Sequence, residues 1–227
     1  MRIKFIMMKK KFYLLIPLLV ILPACSTIIS NFLYPRSSIT YIYQSPKYSQ
    51  YNLSKIAIAP MMNDDTTEVG TLYSTNHFIN ALEKKYKKLK FFIPDTKNTG
   101  DPDSLVFWIA QSIEEKKHLD LNDFYATDLG DAIRKGNADA VFIGVVDLVD
   151  YKNGAAYNSR AREFSKTTIT SCYFTYYLIS LKDGRVLFKI SALGEEGFYV
   201  YSGDDVYPEL DYAISNGMDQ IIEKLPF

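Results

Sequence analysis

Apolar positions follow two different spacings along the chain, which predicts alternating strands and helices from residue 55 onward. Residues 55–60, 90–94 and 141–146 are short apolar runs of the kind that forms buried strands. Elsewhere apolar residues recur every three to four positions, which indicates helices with one buried side. These predicted helices cover residues 71–89, 103–117, 121–135 and 208–225.

The second half of the domain has an antiparallel pattern. Two runs rich in Thr, Tyr, Phe and Ile, residues 168–181 and 186–193, flank Asp183-Gly184, a strong hairpin signal. Residues 152–167 lack regular alternation and are predicted to form a loop, and Gly136 is expected to end a helix in the left-handed conformation. We therefore predict an α/β (α+β) fold, with a mixed sheet of about five strands that includes a C-terminal antiparallel hairpin and packs with three to four helices.

The amino terminus has the features of a signal peptide. A basic head at residues 9–11 precedes an apolar run at residues 12–22, which is about half of the roughly 20 residues needed to span a bilayer. The run ends in Leu22-Pro23-Ala24-Cys25, which resembles the lipobox of bacterial lipoproteins, although Pro23 is unusual there. The resemblance implies cleavage before Cys25 and acylation of its sulfur, and Ser26 after it implies the outer membrane, facing the periplasm. The alternative is an ordinary secretory signal that contains a cysteine by chance.

Residues 25–54 then form a predicted tether, because they are rich in Ser, Tyr, Asn and Pro and show no helical spacing. A free tether of this length would reach on the order of 100 Å. Residues 41–43 are strand-like, so docking of this piece as an edge strand is the alternative. The predicted organisation is a signal peptide at 1–24, the lipidated cysteine and tether at 25–54, and a single domain at 55–227.

Composition excludes several classes of protein. A hydrophobic fraction of 48% excludes a disordered chain. Without residues 1–24, the chain has 21 basic and 26 acidic residues, a net charge of about −5. An acidic body lacks the basic surface that nucleic acids require, so we expect no nucleic-acid partner.

The sequence contains none of the common catalytic signatures. The two histidines, His77 and His118, have no neighbouring ligands at metal-binding spacing, and no nucleophile elbow or Gly-rich phosphate loop occurs. We therefore expect no enzymatic activity, no metal and no cofactor. If Cys25 is lipidated, Cys172 has no partner for a disulfide, and a buried structural thiol is expected.

Two groups of residues are candidate binding sites. Asp64, Asp65 and Glu68 lie in a polar loop after the first strand, where α/β proteins often bind ligands, although a solvated loop is the plainer interpretation. Four tyrosines alternate along two strands and could form an aromatic contact surface, unless helices cover that face of the sheet. These tyrosines are Tyr173, Tyr177, Tyr199 and Tyr201.

Three short motifs resemble a known superfamily of periplasmic α/β domains. They are Lys55-Ile-Ala-Ile-Ala-Pro60, the join Gly136-Asn-Ala-Asp-Ala-Val-Phe-Ile-Gly144, and the hairpin at residues 178–188. The superfamily includes the curli-secretion lipoprotein, the lipoprotein activator of penicillin-binding proteins and the amino-terminal domain of the Tol translocation protein. The resemblance implies a lipid-anchored protein that acts through contacts with other envelope proteins in envelope assembly, maintenance or secretion. The alternative function is a lipoprotein that binds a small ligand or peptide.

Overall fold

The computed structural model describes residues 37–59, 71–95, 109, 112–114, 117–158, 163–200 and 210–227. Six strands form one mixed sheet in the order β1-β6-β5-β4-β2-β3. The strands are β1 (Ser37–Gln44), β2 (Lys55–Ile58), β3 (Lys90–Phe92), β4 (Ala140–Asn158), β5 (Glu163–Ser180) and β6 (Val186–Val200). The helices are α1 (Thr71–Lys85), α2 (Leu121–Tyr125), α3 (Asp128–Lys135) and α4 (Leu210–Lys224), with one 3-10 turn at Tyr48–Gln50. The predicted mixed α/β class is confirmed.

Helices cover parts of both faces of the sheet, so the core has two layers. On the first face α1 and α4 bury Phe78, Leu82 and Met218 against the strands. On the second face Ile109 and Ile113 join residues of α2 and α3 over Val141 and Ile143. This arrangement follows from the central strands, which are apolar on both sides.

The sheet extends beyond the predicted strands in two places. β1 lies within the predicted tether and pairs antiparallel with β6, so the alternative of an edge strand at residues 41–43 is the one observed, and it extends to Ser37–Gln44. The predicted loop at residues 152–167 is wrong, because residues 152–158 and 163–167 are paired strand, with Asn158 opposite Glu163. Backbone pairing with β5 along the whole of β4 overrides the weak strand preference of Gly and Ala in this segment.

Two local predictions on helix ends also need correction. The helix predicted at 121–135 divides in two because Thr127 caps α3, where its hydroxyl accepts a hydrogen bond from the backbone amide of Gly130 at 3.0 Å. Gly136 has a right-handed φ of −71°, and Asn137 takes the left-handed conformation with a φ of 53°. Glycine is needed at position 136 for space, since a Cβ there would lie 2.3 Å from the Phe92 ring.

Asp139 lies just before β4, within the join at residues 136–144, and its side chain connects this segment to the start of β2. Its Oδ2 accepts hydrogen bonds from the Ser54 amide at 2.8 Å, the Ser54 hydroxyl at 2.7 Å and the Lys55 amide at 2.9 Å. Although burial alone would raise the pKa of Asp139, these donors lower it below its ordinary value. The join is therefore a structural element that fixes where the chain enters β2.

We predict that Gly194→Ala destabilises the domain, whereas Gly197→Ala in the same strand is nearly neutral. A Cβ at position 194 would lie 1.9 Å from the Ala213 carbonyl oxygen, so α4 would have to move away from β6. A Cβ at position 197 would meet nothing closer than the Ile169 side chain at 3.2 Å. We expect a loss of about 1–3 kcal/mol for Gly194→Ala and a change within about 0.5 kcal/mol for the control, measured by urea unfolding. Equal midpoints for the two variants would contradict this account of α4 packing.

Candidate functional site: an open sheet face

Strand register brings a set of predicted and unpredicted residues onto the second face of the sheet. Directly opposed residues of antiparallel strands share a face, and β5 pairs with β4 on one side and β6 on the other. Tyr173 lies between Leu148 and Leu193, so these three form a row across the sheet, which we call the apolar row. Two residues further along β5, Thr175 lies beside Ser191, and Tyr177 follows beside Lys189.

The helical layer ends at Tyr177. Tyr177 is only 4% exposed, and its hydroxyl donates a hydrogen bond of 2.5 Å to Glu114 Oε1. Lys189 Nζ contacts the same carboxylate and lies 5.1 Å from the centre of the Tyr177 ring and 5.6 Å from that of Tyr41. Burial alone would raise the pKa of Glu114, but the bonds from Lys189 and Tyr177 outweigh it and lower this pKa. This cluster closes the edge of the second core layer.

A polar band follows, formed by Asp147, Thr175 and Ser191. Asp147 lies at a bulge in β4, where the register with β5 shifts between Val146 and Leu148. The Thr175 hydroxyl donates a hydrogen bond of 2.7 Å to Asp147 Oδ2 and lies 2.7 Å from the Ser191 hydroxyl. Asp147 is exposed as a residue, yet the protein surrounding its carboxylate displaces water and raises its pKa.

The apolar row beyond this band is exposed to solvent mainly at Leu148. Leu148 is 55% exposed, while Tyr173 and Leu193 are half-buried. Ile169 is also half-buried and lies on the same face, four residues along β5 from Tyr173. We call the surface formed by Leu148, Tyr173, Leu193 and Ile169 the open face.

Charged residues border the apolar row on its far side. Lys152 Nζ lies 3.0 Å from Asp150 Oδ2, and the Ser171 hydroxyl donates a hydrogen bond of 3.1 Å to Glu195 Oε1. Asp150, Ser171 and Glu195 follow one another across three strands by register. An apolar centre between two polar rims is the usual composition of a protein–protein interface.

The structure separates the four predicted tyrosines. Tyr173 lies on the open face, but Tyr177 is a core residue beneath the helical layer, so it is not part of an exposed surface. Tyr199 pairs with Thr167 at a register position on the same face, and its side chain lies outside the described residues. The other predicted site residues also lie outside the described residues, namely Cys25, Asp64, Asp65, Glu68 and Tyr201.

Sequence analysis missed Leu148, Leu193 and the cluster of Glu114 with Lys189. The bulge at Asp147 explains why Leu148 was missed, because unbroken alternation along β4 would place residue 148 on the face occupied by Val146. Glu114 and Lys189 are 75 residues apart in the chain, and no local pattern connects them. The one available signal was the alternation of Lys189, Ser191 and Leu193 in β6, which predicts that they share a face.

Cys172 is buried in the core, and the two histidines contact neighbouring parts of the fold. The Cys172 side chain is fully buried, and burial raises its pKa to about 12, so it remains a thiol rather than a nucleophilic thiolate. His77 Nε2 lies 2.9 Å from Asp219 Oδ1, and His118 forms a backbone bridge with Arg185. Within the described ranges, no cluster of three or more His, Cys, Asp or Glu residues could hold a metal ion.

The chain is similar in fold to several solved structures. It resembles the PelC dodecamer from Paraburkholderia phytofirmans with a TM-score of 0.44 and 14% identity, over 82% of this chain and 95% of that chain. It resembles the lipoprotein GNA1162 from Neisseria meningitidis with a TM-score of 0.36 and 16% identity, over 75% of this chain and 99% of that chain. A hypothetical protein, CT253 from Chlamydia trachomatis, matches with a TM-score of 0.34 and 9% identity, over 75% of this chain and 91% of that chain.

No protein-family model and no curated protein matches the sequence. At these identities and scores the structural matches assign no function to the chain, and the superfamily resemblance of the three motifs stays a prediction. None of the helices within the described residues has the length and apolar character needed to cross a membrane.

We predict that Glu114→Gln lowers stability at neutral pH and that this difference disappears in acid. The pKa of Glu114 in the folded protein is below its ordinary value of 4.5, so its stabilisation is full above that pH and is lost as the pH falls through the folded-state pKa. Because the side chain is about half exposed, we expect roughly 0.2–1 kcal/mol, measured by urea unfolding between pH 3 and pH 7. Glu223, exposed on α4 with no ion pair among the described residues, provides the matched Glu→Gln control. A pH-independent effect of Glu114→Gln would contradict the ionic role.

Proposed function

We propose that this chain is a lipid-anchored, non-catalytic protein of the cell envelope that binds another protein through the open face. The observation that supports the proposal best is the apolar row itself. Leu148 is 55% exposed beside half-buried Tyr173 and Leu193, and a partner covering the row would remove apolar surface from water at about 25 cal/mol per Å². Since the neighbouring polar groups are already paired with one another, burying the rims would leave few hydrogen bonds unmade.

The partner we propose presents an extended segment to β4. Among the described strands, β2 pairs with β4 only at residues 140–142, so the same edge of β4 at residues 143–150 is not paired with a described strand. A segment added there would continue the sheet through backbone hydrogen bonds, and its side chains would lie next to Leu148. The bulge at Asp147 restricts this pairing to the part of β4 beyond it.

The anchor is supported by the sequence around Cys25 and by the position of β1. Because β1 begins at Ser37, only 11 residues separate it from Cys25, and they span at most roughly 40 Å. The predicted free tether was more than twice as long. A short connection would hold the open face near the membrane, because Ser38 pairs with Leu193 of the apolar row. We propose the outer membrane, with the domain facing the periplasm.

A non-catalytic role is supported by the environments of the reactive groups. Cys172 is a buried neutral thiol, and Glu114 and Asp147 each accept hydrogen bonds from side chains of the sheet. These bonds tie both carboxylates to Thr175, Tyr177 and Lys189. We therefore assign Glu114 and Asp147 to the border of an interface rather than to general acid–base chemistry.

We expect Cys25→Ser to abolish labelling of the protein with an alkyne analogue of palmitate. The labelled wild-type protein should fractionate with outer membranes on a sucrose gradient, because several acyl chains anchor a protein stably. Cys172→Ala is the matched control, since it removes the other cysteine and should keep the label. Label retained in Cys25→Ser, or lost in Cys172→Ala, would contradict lipidation at Cys25.

We expect a photo-crosslinker at position 148 to capture a partner in intact cells, and one at position 42 to capture none. Replacing Leu148 with benzoylphenylalanine should give a discrete crosslinked species, because this position lies at the centre of the proposed contact. Ile42 is a matched control, since it is 46% exposed but lies on the opposite edge strand and faces the other side of the sheet. Adding Tyr173→Ala should reduce the yield at position 148 several-fold, because central interface aromatics can contribute 2 kcal/mol or more. Equal crosslinking at positions 42 and 148 would overturn the assignment of this face.

A further inference from the structure

A concave surface lies at the amino ends of β2 and β3, away from the open face. Three segments meet there, namely the chain before β2, the connection from α1 to β3 and residues 226–227. They line an open cleft with a volume of about 630 Å³, within the size range of small-molecule binding sites. We call it the aromatic cleft; its apolar lining is Tyr48, Tyr51, Leu53, Tyr86, Leu89 and Phe227. The predicted ligand loop at residues 63–70 follows the opposite, carboxyl end of β2.

The walls of the aromatic cleft are held in place by contacts with the rest of the domain. The Tyr86 hydroxyl donates hydrogen bonds to the Ile222 and Leu225 carbonyl oxygens at 2.9 and 3.2 Å. The Phe227 ring packs edge-on against Tyr86, with ring centres 5.2 Å apart. The Tyr51 hydroxyl donates to Asp183 Oδ2 at 2.6 Å. Fixed aromatic walls favour binding because little conformational freedom is lost when a ligand enters.

The rim of the aromatic cleft is strongly basic. Residues 84–90 read Lys-Lys-Tyr-Lys-Lys-Leu-Lys, with five lysines and no acid, in a chain that is acidic overall outside its first 24 residues. Three of these lysines, Lys85, Lys87 and Lys88, line the cavity. Lys85 Nζ donates a hydrogen bond of 2.6 Å to the Ile222 carbonyl oxygen. Lys87 and Lys88 are exposed and make no ion pair within the described part of the chain.

From the aromatic walls and the lysine rim we infer that the cleft binds a single anionic amphiphile. Such a molecule has an apolar or aromatic body, which would lie between Tyr48, Tyr86 and Phe227, and a phosphate or carboxylate, which would lie against Lys87 and Lys88. Burial, with a smaller contribution from Tyr86, raises the pKa of Tyr48 to about 12, and its neutral hydroxyl can donate a hydrogen bond. The carboxylate of Asp183, which accepts a hydrogen bond from Tyr51 of the cleft wall, also lies 3.4 Å from Arg185 Nε, so its charge is partly balanced.

The source of the amphiphile is the aqueous phase rather than the bilayer. This part of the inference rests on the proposed lipid anchor. The anchor joins the domain at Ser37, and the eight residues of β1 carry the chain about 26 Å away before it reaches Tyr48. The aromatic cleft therefore lies at the end of β1 remote from the attachment point, where a soluble ligand has access.

The test uses full-length lipidated protein in phosphatidylcholine nanodiscs and three probes measured by calorimetry. 1-Naphthyl phosphate carries both the aromatic body and the charge, 1-naphthol only the body and inorganic phosphate only the charge. We expect 1-naphthyl phosphate to bind at least tenfold more tightly than either of the other two. The double variant Lys87→Glu with Lys88→Glu should weaken the binding of 1-naphthyl phosphate at least tenfold and leave the binding of 1-naphthol unchanged.

The matched control is Lys84→Glu with Lys90→Glu, which changes the net charge equally in the same segment but leaves the lysines that line the cleft. This control should bind 1-naphthyl phosphate within about threefold of wild type, and thermal unfolding should show that both double variants fold. Equal losses in the two double variants, or no preference for 1-naphthyl phosphate, would overturn the site. Weaker probe binding when phosphatidylglycerol is added to the nanodiscs would overturn the aqueous source, because a bilayer lipid would then compete for the cleft. None of these readouts depends on the crosslinking at position 148, so the two proposals can fail separately.

Discussion

The antiparallel pairing of β4, β5 and β6 is the constraint on which the rest of the domain depends. β4 and β5 pair from Ala140 opposite Ser180 to Asn158 opposite Glu163, and β6 pairs along most of β5. Because successive side chains of a strand point to opposite faces, this register decides for about 15 residues of each strand which core layer they enter. This register places Tyr176 and Cys172 in the first core layer and Tyr177 in the second.

One irregularity in that register creates the open face. The bulge at Asp147 shifts β4 by one residue, so that Leu148 follows Val145 on the second face and Val149 joins the first core layer. Without the bulge, Leu148 would lie on the first face and Val149 would take its place on the second. The carboxylate of Asp147 accepts a hydrogen bond from Thr175. The surrounding protein displaces water from this carboxylate and raises its pKa.

These two features also explain what sequence analysis could and could not predict. Local signals were sufficient for the Asp183-Gly184 turn, where Gly184 has a φ of 71°, and for the apolar strands and most helices. Residues 152–158 were missed because their strand structure depends on pairing with distant residues of β5 rather than on their own preferences. Tyr177 was placed on the correct face, but its burial depends on packing in the second core layer, and its hydroxyl bonds to Glu114, which lies 63 residues earlier in the chain. The features that sequence analysis missed are therefore those decided by long-range register and layer packing.

The position of β1 relates the two proposed binding surfaces to each other. Its first residues pair with Gly194 and Leu193, next to the open face, and its last residue pairs with Phe188, close to where the chain turns toward Tyr48 and the aromatic cleft. This edge strand thus runs from the side of the domain where we propose the anchor to the aromatic cleft. Asp139 fixes the other end of the cleft segment by binding Ser54 and Lys55, so that segment is tied to the sheet at both ends. Because β1 is joined to the sheet by its pairing with β6, loss of this pairing would affect both its first residues and the chain that leads to the Tyr48 wall of the cleft. Under the two proposals, β1 would therefore set both the distance of the open face from the membrane and the position of the Tyr48 wall of the aromatic cleft.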